Sequence, residues 1–164
     1  MVGVVLLFVG AVLLVNGMGG LGRVETRSMA VLNFMVGGLA LVATLLLLVR
    51  ADSNAAYLTV AQFFLFAFTY LFAATCLWLQ LDMRAFGWFC FFVAVTTVPC
   101  ALVTFMAGDA RFGSFWVIWG VLWFMSYLAN AHGTNFGRVL PFATISVGVF
   151  TCWIPGLLIL TEHW

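Results

Sequence analysis

The residues that could do chemistry in this chain are few. Cys76, Cys90, Cys100 and Cys152 are nucleophiles or metal ligands by type, and His132 and His163 are bases or ligands. Their spacing favours neither use. No two cysteines form a CxxC pair, and no histidine lies near one in sequence. A free cysteine in an apolar stretch behaves as a small hydrophobe. No Ser/His/Asp set falls at one depth, and no Gly-rich loop could cradle a phosphate. The expectation is a protein with no catalytic residues, no metal and no cofactor. What remains is neutral: Asn16, Asn33, Gln62, Thr69, Tyr70, Thr96, Thr97, Ser126, Asn130 and Thr151. In an apolar setting each of these needs a hydrogen-bond partner. The partner is another helix or a hydrogen-bonding solute, and Asn16 and Thr69 are the candidates for solute contact.

The aromatic residues carry a second signal. Trp116, Trp119 and Trp123 recur at i, i+3 and i+7, which is one face of a helix. Leu6, Val9 and Leu13 repeat that spacing near the N-terminus, 110 residues earlier, and Gly10 matches Gly120 in the same register. Phe68 and Phe72 stand at i, i+4 between the two sets. If these faces converge, they wall a narrow slot with flat rings and aliphatic tips. Such a slot does not replace the hydration shell of an ion, so desolvation keeps charged species out. A small planar amide can lay its faces on the rings and turn its polar edge to a few hydrogen-bonding groups.

The elements that would position those faces are membrane-spanning. Of 164 residues, 66% are hydrophobic and only 11 are charged, six Arg and five Asp or Glu. A soluble domain of this size cannot bury so much apolar surface, and a disordered chain would be rich in charge. A net charge of +1 leaves no basic footprint for nucleic acid. A span needs about 20 apolar residues to cross roughly 30 Å of hydrocarbon. Six segments qualify: 2–20, 29–49, 57–79, 85–107, 113–131 and 139–160, and none contains Asp, Glu, Lys, Arg or His. Short connectors make sequential helices antiparallel and leave no room for a soluble domain, so residues 1–164 read as a single transmembrane domain. Odd and even helices recur about every 56 residues, and Pro99 and Pro155 are separated by 56. The fold class is thus an all-α membrane protein, six helices as three two-helix hairpin repeats, bundled around a pore. Arg23, Arg27, Arg84 and Arg138 gather on one side and Arg50 and Arg111 on the other. The positive-inside rule places the first side in the cytoplasm and both termini outside.

Coupled carriers and pumps carry ionisable groups within their spans. Their absence here argues for passive movement of a neutral solute over an energised amide transporter. A non-transporting scaffold, with the aromatics as simple packing, is the reading from another class.

The sequence resembles the AmiS/UreI family of urea channels and short-amide transporters. The likeness runs nearly end to end. It rests on Leu6-Leu7-Phe8-Val9-Gly10 through Asn16-Gly17, on Ala30-Val31-Leu32-Asn33-Phe34 with Val36-Gly37-Gly38, and on Phe68-Thr69-Tyr70-Leu71. Thr97-Val98-Pro99, Trp119-Gly120-Val121-Leu122-Trp123 and Trp153-Ile154-Pro155 complete it. The resemblance implies passive passage of urea or short aliphatic amides across the bacterial inner membrane. It implies a homo-hexamer in lipid, each protomer holding its own pore. It also implies constrictions at Leu6, Val9, Leu13, Phe68, Phe72, Trp116, Trp119, Leu122 and Trp123. Acid-gated members carry a long, His-bearing first outer loop. The short loop at residues 50–56 has no histidine, so steep acid gating is not expected.

Overall fold

A computed structural model describes Met1–Trp164, and every regular element in it is helical. The helices are α1 (Val2–Gly20), α2 (Thr26–Leu48), α3 (Asn54–Leu79), α4 (Arg84–Met106) and α5 (Ala110–His132). The sixth span, Val139–Leu160, is composite: α6 (Val139–Val147), a π-helical turn (Gly148–Trp153) and α7 (Ile154–Leu160). All six spans are long and apolar enough to cross a bilayer.

Three helices begin three residues ahead of the apolar segment that each contains, and capping is the reason. Glu25 accepts from the amides of Arg27 and Ser28, Ser53 from that of Ala56, and Asp109 from that of Phe112. Each cap satisfies orphan N–H groups of a first turn and so extends the helix into the polar connector. At the other ends, Gln80 and Gly133 adopt left-handed conformations, with φ of 55° and 68°, that stop α3 and α5.

The chain runs as three hairpins, α1–α2, α3–α4 and α5 with the sixth span. The extensive packing, however, lies between hairpins. Helix α2 packs along α3, α4 along α5, and α1 along the sixth span. Close backbone approach makes those seams possible. A Cβ built on Gly10 would lie 2.7 Å from the backbone nitrogen of Trp153, and one on Gly37 would lie 2.9 Å from that of Leu71. Small residues at such points replace the hydrophobic drive that lipid does not supply. Within each hairpin the two helices touch more sparingly, and the inner faces of α1, α3 and α5 turn toward the centre of the bundle.

The outer surface is apolar, as a lipid-facing surface must be, with Val42, Leu46, Phe92, Leu102, Val121 and Phe150 all exposed. The charged side chains sit at the two ends. Arg23, Arg27, Arg84 and Arg138 mark a basic end. The chain termini, Arg50 and Arg111 mark the opposite, terminal end.

Candidate functional site: two cavities separated by a tier of rings

Two cavities lie on the central axis of the bundle. The one toward the terminal end holds about 490 Å³ and is lined by Val2, Val5, Leu6, Val9, Thr59, Gln62, Phe63, Thr104, Asp109, Phe112, Trp116, Ile159 and Trp164, among others. The one toward the basic end holds about 300 Å³, room for several water-sized molecules. Leu13, Asn16, Asn33, Thr69, Tyr70, Leu122, Trp123, Ser126, Asn130 and Thr144 line it. The two share two residues, Phe66 and Trp119.

Those two rings meet edge to face, centroids 5.1 Å apart at 86°. Phe66 also lies 5.2 Å from Trp123 and 6.0 Å from Trp116, so one phenyl ring touches all three tryptophans of α5. Trp116 and Trp119 meet at 5.2 Å and 86°. Edge-to-face pairs of this kind contribute about 0.5–1.5 kcal/mol each beyond the area they bury. The rings are therefore held in definite orientations.

A threefold pattern emerges from these positions. Leu6, Val9, Gly10 and Leu13 on α1 correspond to Trp116, Trp119, Gly120 and Trp123 on α5. The same spacing occurs on α3 as Phe63, Phe66, Ala67 and Tyr70, which lie 57 residues after their α1 counterparts. Gly10, Ala67 and Gly120 are the buried small residue of each set. The side chains form three tiers. Leu6, Phe63 and Trp116 face the terminal-end cavity. Val9, which is fully buried, stands with Phe66 and Trp119 in the middle. Leu13, Tyr70 and Trp123 face the basic-end cavity.

Of the residues expected in the constriction, Leu6, Val9, Leu13, Trp116, Trp119, Leu122 and Trp123 all line a cavity, as do Asn16 and Thr69. Phe68 and Phe72 line neither. Phe68 is 47% exposed on the outer surface and stacks on Phe64 at 5.1 Å. Phe72 packs on Phe86 and Phe89 of α4, at 5.8 and 6.0 Å. Phe68 and Phe72 thus lie off the face of α3 that lines the cavities. A two-residue displacement along a helix rotates a side chain by about 200°. The inward pair at i, i+4 is Phe66 and Tyr70. Their signal was present in the sequence: extending the α1/α5 pattern to α3 through its small residue, Ala67, selects them.

Polar groups hold the walls in place. The Trp119 indole N–H donates to Thr151 Oγ1 at 2.8 Å, and that hydroxyl donates to the Val147 carbonyl at 2.7 Å. Thr151 lies in the π-helical turn just upstream of Pro155, which has no N–H to give the Thr151 carbonyl. On the same turn Gly148 comes so close to α1 that a Cβ there would lie 2.7 Å from Leu13 Cβ. One irregular turn thus braces both the α5 and the α1 sides of the constriction. At the basic-end cavity, Asn16 and Asn33 exchange side-chain hydrogen bonds of 3.1 and 2.7 Å, and Asn33 also donates to the Met29 carbonyl at 2.9 Å.

The cysteines are all buried and unbridged. His132 bonds to the Tyr127 hydroxyl at 2.7 Å and packs on Trp88, at the basic end of α5. Trp164 lies over Phe112 and Phe115 at the mouth of the terminal-end cavity, with the Arg111 guanidinium 4.7 Å from its ring. Asp109 is the only carboxylate lining either cavity.

Comparison with known proteins agrees with this geometry. Residues 1–163 match the family model described as AmiS/UreI family transporter. The chain belongs to the AmiS/UreI family. Its relatives within the family include the acid-activated urea channel of Helicobacter pylori strain J99, 34% identical with both chains covered in full. Another is a Mycolicibacterium smegmatis protein whose name proposes a transporter of amidate substrates. It is 38% identical, over 99% of this chain and 78% of the relative. Among solved AmiS/UreI structures, the cryo-EM structure of the Helicobacter pylori urea channel in its closed state superposes with a TM-score of 0.92 at 36% identity, covering both chains in full. The crystal structure of that organism's urea channel gives 0.90 at 35% identity, over 100% of this chain and 99% of the other. This AmiS/UreI chain is therefore a multi-pass membrane protein whose relatives are channels and transporters, not enzymes.

Proposed function

We propose that the protein is a passive channel for urea and short aliphatic amides, with the permeant crossing from one cavity to the other past Val9, Phe66 and Trp119. The arrangement of two cavities on either side of a shared tier of flat rings carries this reading. The rings accept the faces of a planar amide, and the tier offers little to an ion that must shed its water. The constriction is assigned to Leu6, Val9, Leu13, Trp116, Trp119, Leu122 and Trp123, together with Phe63, Phe66 and Tyr70. Asn16 and Thr69 are polar contacts on the basic-end side. Neither cavity is lined by a Lys, Arg, His or Glu that could couple flux to an ion gradient.

In this reading six copies form a ring in a bacterial inner membrane, each with its own route. The basic end faces the cytoplasm and both termini face outward. The loop joining α2 to α3 contains no histidine and Asp109 is the one carboxylate at a cavity wall, so the route lacks a steep acid switch.

The test is stopped-flow swelling of proteoliposomes in urea and in acetamide. The expected result is swelling faster than in protein-free vesicles, with no accumulation against a gradient. Rates equal to those of empty vesicles overturn the proposal. Accumulation that collapses with an uncoupler would replace it with an energised transporter.

A further inference from the structure

The basic-end cavity has a distinct hydrogen-bonding character. Four hydroxyls line it, and three of them have already given their hydrogen away. Thr69 Oγ1 donates to the Leu65 carbonyl at 2.6 Å, Ser126 Oγ to that of Leu122 at 2.9 Å, and Thr144 Oγ1 to that of Leu140 at 2.8 Å. A hydroxyl spent on its own helix retains only acceptor capacity. These oxygens come from α3, α5 and α6, on three sides of the space.

Tyr70 is the opposite case. It is 4% exposed and lines the same cavity, yet its hydroxyl has no protein partner and is not sealed off from the space. It retains its O–H for whatever occupies that space. Asn16 and Asn130 each engage one amide hydrogen, with Asn33 Oδ1 and the Ser126 carbonyl respectively, and keep the other. The wall thus presents three side-chain donors and, from three different helices, three hydroxyl oxygens that can only accept.

We propose that this cavity is a selectivity site for N–H-bearing amides, in which Thr69, Ser126 and Thr144 accept permeant N–H groups and Tyr70 donates to the permeant carbonyl. The inference rests on the channel reading and adds a ligand class to it. A primary amide or urea matches this pattern, with one carbonyl acceptor and two or more N–H donors. A tertiary amide displaces the water that served those oxygens and gives them nothing in return. Discrimination should follow the number of N–H groups, not molecular size alone.

Isomers separate the two variables. Acetamide and N-methylformamide share one formula, with two and one N–H. Propionamide, N-methylacetamide and N,N-dimethylformamide share another, with two, one and none. The experiment is stopped-flow swelling with the full-length native protein in vesicles, each rate corrected by protein-free vesicles and urea run alongside. The expected result is a fall in the protein-dependent rate of about fivefold for each N–H replaced by N-methyl. Thr69→Val, Ser126→Ala and Thr144→Val remove the acceptors while nearly preserving volume. Combined, they should compress the spread between isomers.

Equal protein-dependent rates for isomers in the native protein overturn the proposal while urea flux leaves the channel reading standing. An unchanged spread in the triple variant overturns the assignment to these oxygens. The native isomer series decides alone if the variant does not fold. If neither urea nor any amide exceeds the protein-free rate, the channel reading falls and this one with it.

Discussion

Trp119 on α5 and Thr151 on the π-helical turn are joined by an indole-to-hydroxyl hydrogen bond of 2.8 Å, although 32 residues separate them in sequence. Trp119 is one of the two residues that touch both axial cavities. The orientation of the central ring therefore depends on a side chain from a different span.

Replacing Thr151 by Val keeps the shape but leaves a buried indole N–H without a partner, which costs about 1–3 kcal/mol. The expected outcome is a lower thermal midpoint in detergent and a weaker ranking of urea over larger amides. Thr151→Ser restores both, because a serine hydroxyl can also accept from Trp119 and donate to Val147. A lowered midpoint with an unchanged solute ranking would show that the bond supports the bundle only.

Phe66 and Phe68 make a paired comparison on one helix. Phe66 contacts Trp116, Trp119 and Trp123, whereas Phe68 faces outward. Phe66→Ala removes the common contact of the ring cluster. It should destabilise the fold by about 3–5 kcal/mol, the usual range for a buried phenyl, and widen the range of amides passed. Phe68→Ala should leave the ranking of solutes unchanged in the same vesicle assay. A reversed result would place the route on the other face of α3.

Flux should vary little between external pH 5 and 7.5, measured by urea swelling at each pH. Asp109, at the wall of the terminal-end cavity, is already engaged with the Phe112 amide as the cap of α5. At the basic end, the Ser28 hydroxyl and the amides of Arg27 and Ser28 hold the Glu25 carboxyl below the usual carboxylate range. The Arg84 side chain and amide do the same for Asp82. A depressed carboxyl pKa contributes stability that is present above the unfolded value and lost only as pH falls through the folded one. Both carboxylates therefore stay ionised even where the basic end meets the tested pH. A several-fold rise on acidification would indicate a proton switch at Asp109, Glu162 or His163.

The sequence by itself determined the solvent of this protein and the number of its spans. Segregation of every charge from six apolar segments has one physical solution, helices across a bilayer with polar ends. It also determined the inward faces of α1 and α5, because their i, i+3, i+7 patterns share one register around Gly10 and Gly120. The α3 face was harder to read. That helix is aromatic on nearly every side and Phe66 and Phe68 are the same residue type, so the i, i+4 spacing alone does not separate them; the register through Ala67 does, and packing against the α5 tryptophans shows it. Tertiary structure also decided that the hairpins pack mainly on their neighbours and that the sixth span widens into a π-helical turn. The hydrogen bond from Trp119 to Thr151 likewise exists only in the fold. These features depend on how backbones approach one another at Gly10, Gly37 and Gly148, and helical periodicity along a single segment contains no term for the distance to the next helix.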